Sequence, residues 1–163
     1  MIRLKNAMTV RPASLARAAA LLACLCPVGY VHAQASYTYS ANGAEVTDAQ
    51  TGLTWRRCTE GQSWSGGTCT GSAATFTHEQ ALAHAKTQSG WRLPNVKELS
   101  SLVDSSRSNP AIDITAFPAT SSEWYWSSTP YVGSADGAWY VNFNVGYVGD
   151  VSRGSGFRVR LVR

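Results

Sequence analysis

The segment at residues 91–99, WRLPNVKEL, constrains this chain more than any other. Pro94 has no amide hydrogen to give to a sheet and holds Leu93 extended, so a strand has to end there. Asn95 supplies a side-chain oxygen to the free amides of a new helix. Glu98, three residues on, reaches back to complete a capping box. Val96, Leu99, Leu102 and Val103 recur at helical spacing and define that helix's buried face. A carboxylate in this position is a cap before it is a catalytic acid.

The chain on either side must supply the sheet. Upstream, residues 44–48 and 53–57 flank Ala49-Gln50-Thr51-Gly52 and predict a hairpin, with Gly52 at positive φ and Trp55 pointing to the core. Thr77-His78-Glu79-Gln80 is a second capping box, with Phe76 placed to staple against Ala81. Its helix is predicted to run to about Ser89 and stop at Gly90, with Ala81, Leu82 and Ala85 as a small-residue packing face. Downstream, residues 109–122 carry Pro110 and Pro118 and read as a long ordered loop. Residues 124–129 are strand-like, and 130–137 form a loop. Residues 138–144 alternate, with Trp139, Val141 and Phe143 on one face. A turn at Asn144-Val145-Gly146 leads back through 147–152, and residues 157–162 form a last strand with Phe157, Val159 and Leu161 inward. Two short helices with a mainly antiparallel sheet and long loops make an α+β pattern.

Residues 1–33 read as an export signal. Arg3, Lys5, Arg11 and Arg17 precede an apolar run centred on residues 18–25. Val31-His32-Ala33 then places cleavage between Ala33 and Gln34. The run is too short to span a membrane, and Pro27 and Gly29 interrupt it. Leu21-Leu22-Ala23-Cys24 loosely resembles a lipid-attachment box, so membrane association is expected only if Cys24 is lipidated. Simple export to the periplasm, cell surface or medium is the expectation. Residues 34–43 read as a loosely held entry segment, and about 130 residues are left after the leader, enough for one domain.

Removing the leader changes two arguments. Four of the 14 Lys and Arg residues leave with it, which leaves ten against ten Asp and Glu, a net charge of zero. No basic run remains to suggest nucleic acid, although Arg56-Arg57 and the tail Arg158, Arg160 and Arg163 are candidate local patches. Cys24 and Cys26 also leave, and Cys58 and Cys69 remain. In an exported chain this pair is expected to form a disulfide, worth about 3 kcal/mol for so short a loop. Ten intervening residues fit neither a redox CxxC nor a zinc knuckle.

The motifs of catalysis are not found. His78-Glu79 opens like a zincin motif, but Leu82 stands where the second histidine belongs. His84 lies about 240° round the helix from His78, so the two read as surface or capping residues. There is no nucleophile elbow and no phosphate loop, and Asp136 beside glycine reads as a turn. No metal or cofactor is expected. The positive feature is aromatic: Trp64, Trp124, Tyr131 and Tyr147 fall in or beside loops, with Asp150 and Arg153 close after Tyr147. Rigid rings beside polar groups suit a sugar ring or a protein partner.

WRLPNVKELSSLVD, YWSST, AWYVNF and the terminal FRVRLVR resemble the signature blocks of the Lcl C-terminal domain family, a bacterial exported module. The opening DAQTGLTW and the loop RRCTEGQSWSGGTC are similar to that family too, so the likeness runs from about Glu45 to Arg163. RLPNVKEL and the closing Gly156-Phe157-Arg158 more distantly resemble the formylglycine-generating-enzyme branch of the C-type-lectin-like superfamily. The resemblance implies a C-type-lectin-like fold. It also implies adhesion through a glycan, a sulfated polysaccharide included, since the collagen-like adhesin that names the family binds sulfated glycans through this domain. A structural subunit of a cell-envelope protein complex is the alternative. The oxidase branch uses a late cysteine pair, whereas this chain has no cysteine after Cys69. The strings nearest to calcium-binding lectin motifs, SNP at Ser108 and VNFN at Val141, lack the carboxylates.

Overall fold

A computed structural model describes residues 36–163; the leader, the cleavage point at Ala33 and Gln34, and Cys24 lie outside the described residues. Three short strands open the chain, β1 (Tyr37–Tyr39), β2 (Glu45–Asp48) and β3 (Thr54–Arg56), in one antiparallel sheet of order β1-β2-β3. The hairpin expected around Gly52 is there, with φ at +71°, and Trp55 is fully buried. The entry segment is less loose than its composition suggested. Tyr37-Thr38-Tyr39 is a run of strand-favouring residues, it pairs with β2, and Tyr37 packs edge-on against Phe117 at 5.5 Å.

The loop between the cysteines contains a second hairpin, β4 (Ser63–Ser65) and β5 (Thr68–Thr70), closed by Gly66 and Gly67, both at positive φ. Cys58 and Cys69 are bonded across its base, with Cα atoms 5.4 Å apart. Helix α1 (His78–Thr87) carries the capping box at Thr77 and Gln80. Helix α2 (Val96–Ser100) carries the one at Asn95 and Glu98, and Arg92 holds the Glu98 carboxylate through two hydrogen bonds of 2.6 and 2.8 Å. That pairing lowers the Glu98 pKa.

Strands β6 (Trp124–Pro130), β7 (Gly137–Asn142) and β8 (Tyr147–Ser152) form an antiparallel meander. Both faces of it are covered. Tyr125, Val141 and Val148 meet Trp55, Leu99 and Phe117 in one core. Trp126, Ala138 and Val151 meet Ala81 and Ala85 of α1 and the tail residues Phe157, Val159 and Leu161 in the other. Alternation along each strand therefore feeds two cores instead of a core and solvent.

The expected last strand is not continuous. Phe157 bridges Phe76, Arg158 bridges Tyr125 in parallel, and Val162 bridges both Trp55 and Arg92. Each tail residue meets a different neighbour, so no ladder of regular register forms. The tail is a seam that fastens the first sheet, the entry to α1 and β6 to one another, ending where Arg163 and Thr54 exchange two backbone hydrogen bonds of 2.9 Å.

Candidate functional site

The register of the meander creates one aromatic cluster that reaches solvent. Trp124, Asn142 and Tyr147 lie in a row across β6, β7 and β8, and Trp126, Tyr140 and Gly149 form the next row. A spacing of two residues keeps both rows on the same face. Trp124 and Tyr147 are 44% and 58% exposed. Tyr140 sits half-buried between them, its ring 5.7 Å from that of Trp124 and 6.4 Å from that of Tyr147.

Rigidity comes from below. Phe157 packs against Trp124 at 4.9 Å and Tyr140 at 5.4 Å, and lies 4.5 Å from Trp126 in the core. Gly149 makes room from the side. A Cβ there would stand 2.7 Å from Tyr147 Cε1 and 2.9 Å from Tyr140 Oη, so the glycine lets both rings lie over the strand. Burial, helped by the nearby Tyr147 and Asp150, raises the Tyr140 pKa and keeps its hydroxyl neutral. The end of the meander thus offers three rings and a neutral hydroxyl, held in place before any ligand arrives.

The other sequence candidates are elsewhere. Trp64 is in β4, where its indole nitrogen donates to the Asn42 carbonyl at 2.9 Å and Arg57 stacks on its ring at 4.1 Å. Tyr131 packs edge-on against Trp139 at 5.4 Å. Asp150 pairs with Trp139 in the register, which puts it on the face of β8 away from Tyr147. Arg153 donates from Nε to the Gly137 carbonyl, at the far end of the meander. Of the six, Trp124 and Tyr147 come together and the rest do not. Tyr140 was missed because Trp139, Val141 and Phe143 were read as the only buried face of β7. The alternation in AWYVNF also presents Tyr140 opposite them, and a strand covered on both sides uses both sets.

Trp139 does line a groove of about 240 Å³, with Val96, Lys97, Ser100 and Val148, on the face opposite the aromatic cluster. A second cavity of about 170 Å³ lies at the disulfide, lined by residues that include Glu45, Arg56, Glu60 and Gln62. There the nearly buried Glu60 carboxylate accepts from Arg56 at 3.0 Å and meets His84 Nε2 at 2.7 Å, tying the disulfide loop to α1. His84 is therefore a hydrogen-bond partner of Glu60. His78 is buried rather than superficial, with Nε2 at 3.0 Å from the Ser127 carbonyl and its ring edge-on to Trp126.

The candidate arginines are mostly engaged within the fold, with Arg56 and Arg163 both stacked on the ring of Trp91, at 5.0 and 4.7 Å. Arg57 and Arg160 are buried. Arg57 donates to the carbonyls of Ala116, Gly43 and Thr115, each at 2.7 Å, between the rings of Tyr39 and Trp64. Arg160 donates to the carbonyls of Arg56 and Arg57 and to Thr120 Oγ1, beneath the ring of Phe117. Arg158 is held by the Ala73 carbonyl, and Arg163 pairs with Glu45. Guanidinium forks suit convergent carbonyl oxygens, and here they brace loops.

Among the described residues, no group of three or more His, Cys, Asp or Glu is placed to hold a metal ion, and no helix is long and apolar enough to cross a membrane. No protein of curated function matches the chain. The model of the Lcl C-terminal domain matches residues 44–163. That match covers most of the sequence, and the chain belongs to the Lcl C-terminal domain family.

Proposed function

We propose that this chain is an exported, non-catalytic binding domain that holds a glycan on the aromatic end of its meander. The observation that carries the reading is the set of Trp124, Tyr140 and Tyr147 on one face, two of them largely exposed and all backed by Phe157 or by each other. Such rings present flat apolar area with little rotamer entropy left to lose, which is what stacking on the C–H face of a sugar requires. The Tyr140 hydroxyl and the Asn142 side-chain NH2 beside them supply hydrogen-bonding groups for orientation, the Asn142 Oδ1 accepting from the Asn144 amide. A C-type-lectin-like fold, implied by the sequence blocks, is supported by the closure of the tail on the opening sheet at Thr54 and Arg163.

The test is a panel of polysaccharides against the oxidised domain with its leader removed, and against Trp124→Ala and Tyr147→Ala. Loss of one stacked ring is expected to weaken binding about tenfold, the equivalent of about 1.4 kcal/mol, without changing the fold. One observation favours the assembly alternative: Val145, 63% exposed in the turn before Tyr147, adds apolar surface at the same end of the β7–β8 hairpin. A folded domain that binds nothing on the panel and self-associates with concentration would replace the glycan reading with that one.

A further inference from the structure

We infer that the aromatic end selects uncharged glycan chains over sulfated or otherwise polyanionic ones; the inference rests on the glycan reading of that site. A polyanion is held by clustered, uncommitted cations, through charge-assisted hydrogen bonds and a salt-dependent counterion term. Most cations of this domain already have partners of their own. Arg57 and Arg160 are buried on carbonyl oxygens, Arg153 and the half-buried Arg158 donate to the Gly137 and Ala73 carbonyls, and Arg56, Arg92, Arg107 and Arg163 are each paired with a carboxylate at 3.0 Å or less.

What is left is badly placed for sulfate. Lys97 lines the groove beside Trp139, on the face of the meander opposite Trp124 and Tyr147. Lys86 lies in the last turn of α1. The charged residue next to Trp124 in the chain is Glu123, exposed and of the wrong sign to attract an anionic polymer. Stacking on Trp124, Tyr140 and Tyr147 needs no charge, and the neutral Tyr140 hydroxyl can donate to a ring or hydroxyl oxygen. The chemistry matches a neutral, hydroxyl-rich polymer.

The experiment compares one polymer with its own sulfated derivative. Dextran and dextran sulfate, and laminarin and its sulfated form, are titrated into the oxidised domain at about 50 and 300 mM NaCl, a range over which the Debye length shortens from beyond 10 Å to well below it. The expected result is binding of at least one neutral polymer, with affinity unchanged within twofold by salt, no gain on sulfation, and at least tenfold loss in Trp124→Ala. Tighter binding of a sulfated form that collapses at high salt overturns the inference and leaves the glycan reading standing. No binding to any of the four, by a domain shown to be folded, removes the glycan reading and the inference with it.

Discussion

Replacing Arg160 with lysine tests whether the tail is held by a guanidinium fork rather than by a charge. Arg160 is fully buried. Its Nη1 donates to the carbonyls of Arg56 and Arg57, and its Nη2 donates to Thr120 Oγ1 at 2.8 Å and reaches Thr59 Oγ1 at 3.4 Å. The acceptors lie on two sides of the planar group, on the β3 exit and on the long loop that ends near Thr120. Lysine keeps the positive charge and the stem but offers one compact ammonium, which reaches one side or the other. Losing the bonds on one side costs about 2–3 kcal/mol, given about 1.5–3 kcal/mol for each hydrogen bond involving a charged group and partial rescue by relaxation. For a domain of this size that is a fall in Tm of about 8–12 °C. Urea and thermal melts of the oxidised domain read it directly. A double-mutant cycle with Thr120→Val is expected to give a coupling of about 1 kcal/mol. An Arg160→Lys domain within about 0.5 kcal/mol of the parent, or strict additivity with Thr120→Val, would refute the fork.

Reducing the Cys58–Cys69 disulfide is expected to cost about 3 kcal/mol and shift the urea midpoint, with the loss falling first on protection of amides in β4 and β5. His78 is buried with a lowered pKa, caused first by burial and then by Arg153, against the hydrogen bond to Ser127. Its unfolded value is about 6.5, so the unfolded state binds the extra proton. Stability is complete above that pH, falls as pH drops through it, and levels off below the lower folded pKa. His78→Gln should flatten the slope of the urea midpoint below about pH 6.5, and an unchanged slope would assign it elsewhere. Gly146 has φ at +77°, and a Cβ there would collide with Val103 Cγ1. Gly146→Ala is expected to lose more than about 1 kcal/mol, measured by thermal melt, whereas Gly52→Ala, with nothing within 4 Å, should lose only the cost of its positive φ.

Local signals in the sequence carried far. The two capping boxes and the Gly52 hairpin were legible because a short run of residues satisfies its own backbone groups, and the Cys58–Cys69 pair because two cysteines remain after the leader. Elements defined by distant partners were not. The tail alternates like a strand, yet its neighbours change from Phe76 to Tyr125 to Trp55, and nothing local announces that. The arginines read as surface charge because sequence shows a cation and not the carbonyls it meets: Arg160 finds its partners at Arg56, Arg57 and Thr120, far along the chain. The same limit applied to the site. Trp124 and Tyr147 were recognisable as rings near loops, but only strand register brings them to Tyr140, and only register sends Asp150 to the other face. The SWSGGTCT hairpin, by contrast, was there to be read as alternation around a Gly-Gly turn.

The central claim is the location of the ligand, and side-chain NMR tests it most directly. The indole Nε1–H of Trp124 and the ring protons of Tyr140 and Tyr147 would be followed during titration with a neutral polysaccharide that the domain binds. Saturable shifts confined to these three residues and Asn142, with the indoles of Trp64 and Trp139 unmoved, are the predicted result. Shifts centred on Trp139, Lys97 and Ser100 instead, with Trp124 silent, would move the site to the opposite face of the meander and contradict the account.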